Sequence, residues 1–212
     1  MSVYYHEFLT LALIHFLAVI IPGLDFIISV RQSTQHGYRI GCMTAVGIGC
    51  GISVHVFYTL MGVGLVLSQN HIFMSLFQII GALYLLYLGW NCLKGGSTPI
   101  EINMEAASGH IKMSYHQAFM TGFWTNALNP KATIFFLAIF TSIVSTTTPL
   151  FTQILYGGWM CLVNTLWFIV VSLIFTQPKI RSGFLKYNFL LEKVMGLLLG
   201  AIAIRLILGV EF

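Results

Sequence analysis

The chain has 212 residues, 58% of them hydrophobic and only 8% charged, with a mean hydropathy of +0.88. A soluble domain carries about a quarter charged residues, so a water-covered globule is excluded and the surplus apolar surface must face lipid. The net charge of +4 is spread over ten dispersed Lys and Arg residues with no basic run, which excludes nucleic-acid binding.

Lipid offers no partners to backbone N–H and C=O groups, so a spanning segment is a helix of about 20 mostly apolar residues or a strand of a closed barrel. The long unalternating apolar runs exclude the barrel and predict an all-α integral membrane protein. Six transmembrane helices are expected, near Phe8 to Val30, Cys42 to Leu67, Ile72 to Leu93, Tyr115 to Val144, Phe151 to Phe175 and Phe189 to Leu208. Met1 to Glu7 lacks a basic segment, so the first run reads as a permanent span rather than a cleaved leader. The expected connections are Arg31 to Gly41, Ser68 to His71, Lys94 to Ser114, Ser145 to Leu150 and Thr176 to Asn188. Residues 94–114 hold Gly-Gly, Ser-Thr-Pro and two glutamates, the composition of a flexible linker. It divides the chain into a first three-helix repeat at 1–93 and a second at 115–212. Cys42, Cys50, Cys92 and Cys161 form no C-x-x-C and no His/Cys cluster, so neither a disulfide framework nor a metal site is expected, and no cofactor.

Short loops rich in Lys and Arg stay on the cytoplasmic side. Arg31, Arg39, Lys94, Lys112, Lys179, Arg181, Lys186 and Lys193 all fall in or beside the first, third and fifth connections. Those connections are expected inside, and both termini outside. Two halves of three helices insert in opposite directions, as in the inverted repeats of secondary transporters. Matching features recur in order: Pro22-Gly23 and Asn129-Pro130 interrupt the first and fourth helices, Gly47, Gly51 and His55 mark the second, and Gly157, Cys161 and Asn164 mark the fifth.

The interruptions are where chemistry is expected. Proline removes a helical hydrogen bond and glycine releases the backbone from helical angles, so Pro22 and Gly23 break the first helix inside an apolar stretch. Freed polar groups at such a break line a cavity or meet other protein groups, and half-helix ends carry partial charges that bind a zwitterion. Asp25 follows within one turn, and a carboxylate at that depth demands a partner or a task. It serves as a proton carrier, as a counter-charge for a substrate ammonium, or simply as an N-cap of the second half-helix. In the fourth span Asn126 and Asn129, three apart, share one face beside Pro130 and Lys131. Lys131 either meets a substrate carboxylate, pairs with Asp25, or snorkels to the interface. Thr44, Gly47, Gly51, His55, Tyr58 and Gly62 make a small, polar stripe on the second helix, read as close packing with His55 a candidate proton relay. Asn164 is a candidate lining residue of the same kind. The aromatic stretch Tyr84 to Trp90 reads as lipid-facing and interfacial packing. Small faces allow a homodimer. No P-loop, G-x-S-x-G or H-E-x-x-H is present, so enzymatic hydrolysis has no support.

Taken together, Pro22-Gly23-Leu24-Asp25, Arg31, the Gly47 to Gly51 segment, Gly81-Ala82-Leu83-Tyr84-Leu85-Leu86-Tyr87-Leu88-Gly89 and Asn129-Pro130-Lys131 resemble the LysE/RhtB family of bacterial amino-acid exporters over essentially the whole chain. The departure is Leu24, which stands where the family pattern has a second proline. The resemblance implies export of a small neutral amino acid, threonine- or homoserine-like, across the bacterial inner membrane, driven by protons. Its site would be Pro22, Gly23, Asp25, Asn126, Asn129, Pro130 and Lys131, with Arg31, Gly47, Gly51 and Asn164 as secondary lining. A distant branch of the superfamily passes electrons through cysteines in the first and fourth helices, and neither span has one here. A non-transporting assembly subunit, in which the breaks serve packing alone, is the remaining alternative.

Overall fold

The computed structural model describes residues 2–66, 71–94, 113–145 and 147–208, which form helices and no strand. In chain order they are α1 (Ser2–Ile20), α2 (Leu24–His36), α3 (Tyr38–Val66), α4 (His71–Lys94), α5 (Tyr115–Ala127), α6 (Pro130–Ile143), α7 (Leu150–Ile174) and α8 (Pro178–Leu208). Tyr38–Met61 and Leu150–Ile174 are each long and apolar enough to cross a bilayer, and Tyr4–Ile20 with Leu24–His36 makes a third candidate span bent by 54° at the break. The linker expected at 94–114 falls almost wholly outside the described residues.

Hydropathy misplaced two helix ends. The expected first connection is helical to His36 and again from Tyr38, with only Gly37 between, at φ +89. That left-handed conformation is free of Cβ strain only for glycine. Likewise α8 starts at Pro178, ahead of the apolar run, with proline in the first turn where its missing N–H costs nothing. Hydropathy reports where lipid ends, whereas a polar helix continues into water.

The chain is polarised inside out. On α7, Leu155, Leu162, Leu166, Val170 and Leu173 are exposed, while Tyr156, Met160, Asn164, Phe168 and Ser172 are buried on the opposite face. Helices pack through small residues, as expected where lipid removes the hydrophobic drive. A Cβ on Gly89 would lie 2.8 Å from the Gly196 carbonyl, and one on Gly196 would lie 2.7 Å from the Gly89 carbonyl, locking α4 to α8. Helix α3 touches α2, α5, α6 and α7 and so stands at the centre.

One buried carboxyl ties the ends together. Glu7 on α1 accepts from the Ser145 N–H, from Thr148 Oγ1 at 3.0 Å and from Tyr156 Oη at 3.1 Å. Glu7→Leu removes the acceptor for all three and is expected to cost about 2–4 kcal/mol, read by thermal unfolding in detergent. Glu7→Gln, which keeps one acceptor oxygen, is expected to cost less.

Candidate functional site

The two interruptions meet in space. At the first, α1 ends at Ile20 and α2 begins at Leu24, with Gly23 as an extended N-cap that offers no side-chain bond. Asp25 is therefore not the cap. It stands in the first turn of α2, where the helix dipole favours an acid, and its Oδ2 accepts a 2.9 Å hydrogen bond from Asn126 Nδ2, 101 positions away. The second interruption is built by Asn129, whose Oδ1 accepts from the Lys131 N–H at 3.0 Å and caps α6, with Pro130 at the first helical position.

Asn126 is held from both sides. Its carbonyl accepts from the Asn129 N–H at 2.8 Å and pairs with His55 Nε2 at 2.9 Å. His55 Nδ1 pairs with Tyr58 Oη at 2.7 Å, and the imidazole stacks on Phe136 at 5.5 Å and 15°. Tyr84 Oη donates to the Lys131 carbonyl at 2.9 Å, and a Cβ on Gly23 would lie 3.5 Å from Lys131 Nζ. The Lys131 ammonium thus lies in contact range of the first break.

Around this junction lies a cleft of about 550 Å³, its open mouth included, lined by Gly23, Leu24, Asp25, Asn126, Asn129 and Lys131, by His15 and Asn164, and by Phe135, Phe136 and Phe168. Asp25 Oδ1 and Asn126 Oδ1 are both buried without a hydrogen-bond partner. Two orphan acceptors call for a donor, and an ammonium supplies three N–H bonds. Lys131 offers the opposite charge in the same cleft. The arrangement complements the two charged groups of an α-amino acid.

The remaining sequence-derived candidates lie at different distances from this point. Pro22 and Pro130 line an adjoining depression that shares Gly23, Leu24, Asn129 and Lys131 with the cleft. Gly47 and Gly51 pack against α5, where a Cβ on either would press on the Phe119 or Phe123 carbonyl. Arg31 is exposed on α2, its Nε donating to Gln35 Oε1 at 3.3 Å, away from the cleft. Asn164 lines the cleft and hydrogen-bonds His15. Three lining or supporting groups escaped the sequence reading: His15, Phe136 and the hydroxyl of Tyr84. For His15 a signal existed, since an imidazole among apolar neighbours in a span is an intramembrane ionisable group. Among the described residues no cluster of three or more His, Cys, Asp or Glu side chains is assembled to hold a metal.

A family model described as LysE type translocator matches residues 16–209. The chain belongs to that family. It is thus a membrane transporter of an amino-acid efflux family and not an enzyme. The translocator is 29% identical over 204 residues to the threonine efflux protein of Escherichia coli K12, covering 95% of this chain and 98% of that one. It is 27% identical to the uncharacterized membrane protein YahN of the same strain, covering 88% and 82% of the two chains. The homoserine/homoserine lactone efflux protein of Salmonella typhi is 26% identical over 65% of this chain and 64% of its own. No solved structure matches.

Proposed function

We propose that the protein is a secondary exporter that moves a small neutral amino acid, threonine- or homoserine-like, out of the bacterial cytoplasm across the inner membrane at the expense of the proton gradient. The observation that carries this reading is the junction of the two breaks: two unpartnered buried acceptors, Asp25 Oδ1 and Asn126 Oδ1, share a cleft with Lys131. The named activities of the threonine and homoserine relatives agree with it.

In this mechanism the substrate ammonium takes the place facing Asp25 and Asn126, while Lys131 and the half-helix N–H groups answer the carboxylate. Asp25 either holds the ammonium directly or carries the coupling proton, with His55 beside it through Asn126. Pro22, Gly23, Asn129 and Pro130 shape the breaks. Asn164 contributes lining, Gly47 and Gly51 the close approach of α3 to α5, and Arg31 a polar flank on α2.

We take the architecture to be six spans in two opposed halves, α1 to α4 and α5 to α8, with each broken span counted once and both termini outside. The packing supports the two halves in part. Exchanging them maps α3·α7 and α4·α8 onto themselves, and maps α1·α7 onto α3·α5, α2·α7 onto α3·α6 and α1·α6 onto α2·α5, all of which touch, whereas α2·α3, α4·α6 and α1·α8 have no comparable counterpart in α6·α7, α2·α8 and α4·α5. Small-residue faces leave room for a homodimer.

Proteoliposomes with an imposed pH gradient and labelled amino acids test the proposal. Gradient-dependent flux of threonine or homoserine is expected, and no such flux for any of the twenty amino acids would refute it.

A further inference from the structure

His15 lies on α1, on the far side of the first break from Asp25. It is 1% exposed, lines the cleft, and its Nε2 sits 2.9 Å from Asn164 Nδ2 on α7, 149 positions away. Its other nitrogen, Nδ1, is buried with no hydrogen-bond partner. A buried polar group without a partner costs free energy that a fold normally avoids, so an orphan nitrogen on a residue that lines the cleft calls for a partner.

Phe136 also lines the cleft, its ring 6.2 Å from the His15 ring and 5.5 Å from the His55 ring, which itself bonds to the Asn126 carbonyl. The cleft therefore has two polar ends, one contributed from each side of the first break. One end, at Asp25 and Asn126, suits the charged groups around an α-carbon. The other, at His15 and Asn164, suits whatever the side chain carries.

We propose that His15 and Asn164 read the substrate's side chain and select one bearing a hydroxyl on a short apolar stem. This rests on the amino-acid export reading and adds to it the residues that set specificity. A hydroxyl fits either assignment of the ring. If Asn164 donates to Nε2, then Nδ1–H is a donor and the hydroxyl oxygen accepts; if the carboxamide is turned, Nδ1 accepts and the hydroxyl donates. A methyl group in that place leaves Nδ1 unsatisfied in both cases, and sites built around a polar group reject the analogue lacking it far more strongly than apolar sites reject an extra hydroxyl.

Threonine and valine have nearly the same shape and differ by hydroxyl against methyl. Thermal stabilisation of the purified full-length protein in detergent, titrated with each, is expected to need at least roughly tenfold less threonine than valine. His15→Phe, which keeps a ring beside Phe135, Phe136 and Trp159, and Asn164→Leu are expected to bring the two titrations within about twofold of each other by raising the threonine concentration required. Equal responses to threonine and valine in the unaltered protein overturn the assignment without any variant having to fold. A threonine preference that persists in both variants overturns it as well. No stabilisation by any amino acid, together with no flux, overturns the export reading and this one with it, whereas flux without discrimination removes only the role of His15 and Asn164.

Discussion

Asp25→Asn is expected to lower gradient-driven export roughly a hundredfold, the scale for removing a buried hydrogen-bonded charge, in a protein that still folds. The substitution is nearly isosteric, and its carbonyl oxygen still accepts from Asn126 Nδ2, the 2.9 Å contact that joins the two breaks. What changes is the second oxygen. Oδ1, an unpartnered acceptor in the unaltered cleft, becomes an NH₂ group that repels an ammonium and carries no exchangeable coupling proton. Thermal unfolding close to that of the unaltered protein is the expected control. Substrate counterflow separates the two tasks open to Asp25. If it carries the proton, counterflow of labelled for unlabelled amino acid survives while the pH gradient no longer drives flux. If it holds the ammonium, both fail together. Unimpaired gradient-driven flux in Asp25→Asn, and equally in Lys131→Ala, would instead mean that the breaks serve packing alone.

The breaks were legible in the sequence because Pro22-Gly23 and Asn129-Pro130 act locally: a missing N–H and a capping carboxamide dictate where a helix stops whatever surrounds it. What the breaks are for required the fold. The Asp25–Asn126 contact spans 101 positions and the His15–Asn164 contact 149, and nothing in the spacing of either pair marks them as neighbours. The same holds for Glu7, which sits at the edge of the first apolar run and finds its donors near the start of α7. Tyr84 was misjudged for a related reason. Within its aromatic stretch Tyr87 and Trp90 are exposed as expected, but Tyr84 turns inward to bond the Lys131 carbonyl, and one-dimensional hydropathy does not separate faces of a uniformly apolar helix. The stripe on α3 was legible as a stripe. Its glycines were legible as close packing too, but the partner of its histidine, the Asn126 carbonyl 71 positions away, was not.

That packing leads to the second large effect. Helices α3 and α5 cross with backbones nearly touching: a Cβ on Gly122 would overlap the Thr44 carbonyl, and one on Gly47 would overlap the Phe119 carbonyl. The obstacle on both sides is main chain within a helix, which does not swing aside as a flexible side chain does, so the helices themselves must separate. Gly122→Val is therefore expected to destabilise the protein by about 3 kcal/mol or more, the upper range for overpacking. Gly158→Ala on α7, where nothing lies within 4 Å of the added carbon, is expected to raise stability by about 0.5–1 kcal/mol through helix propensity, so a loss at Gly122 is steric in origin. The consequence reaches the site. Asn126 lies four residues beyond Gly122 on the same face of α5, bonded to His55 of α3 and to Asp25 of α2. A shift of α5 large enough to admit even the single methyl of Gly122→Ala lengthens both bonds, so export by that milder variant is expected to fall more steeply than its unfolding temperature. If Gly122→Ala lost stability but kept full flux per folded molecule, the α3–α5 crossing would hold the fold together without positioning Asn126, and the junction of the breaks would have to be held by α2 and α6 alone.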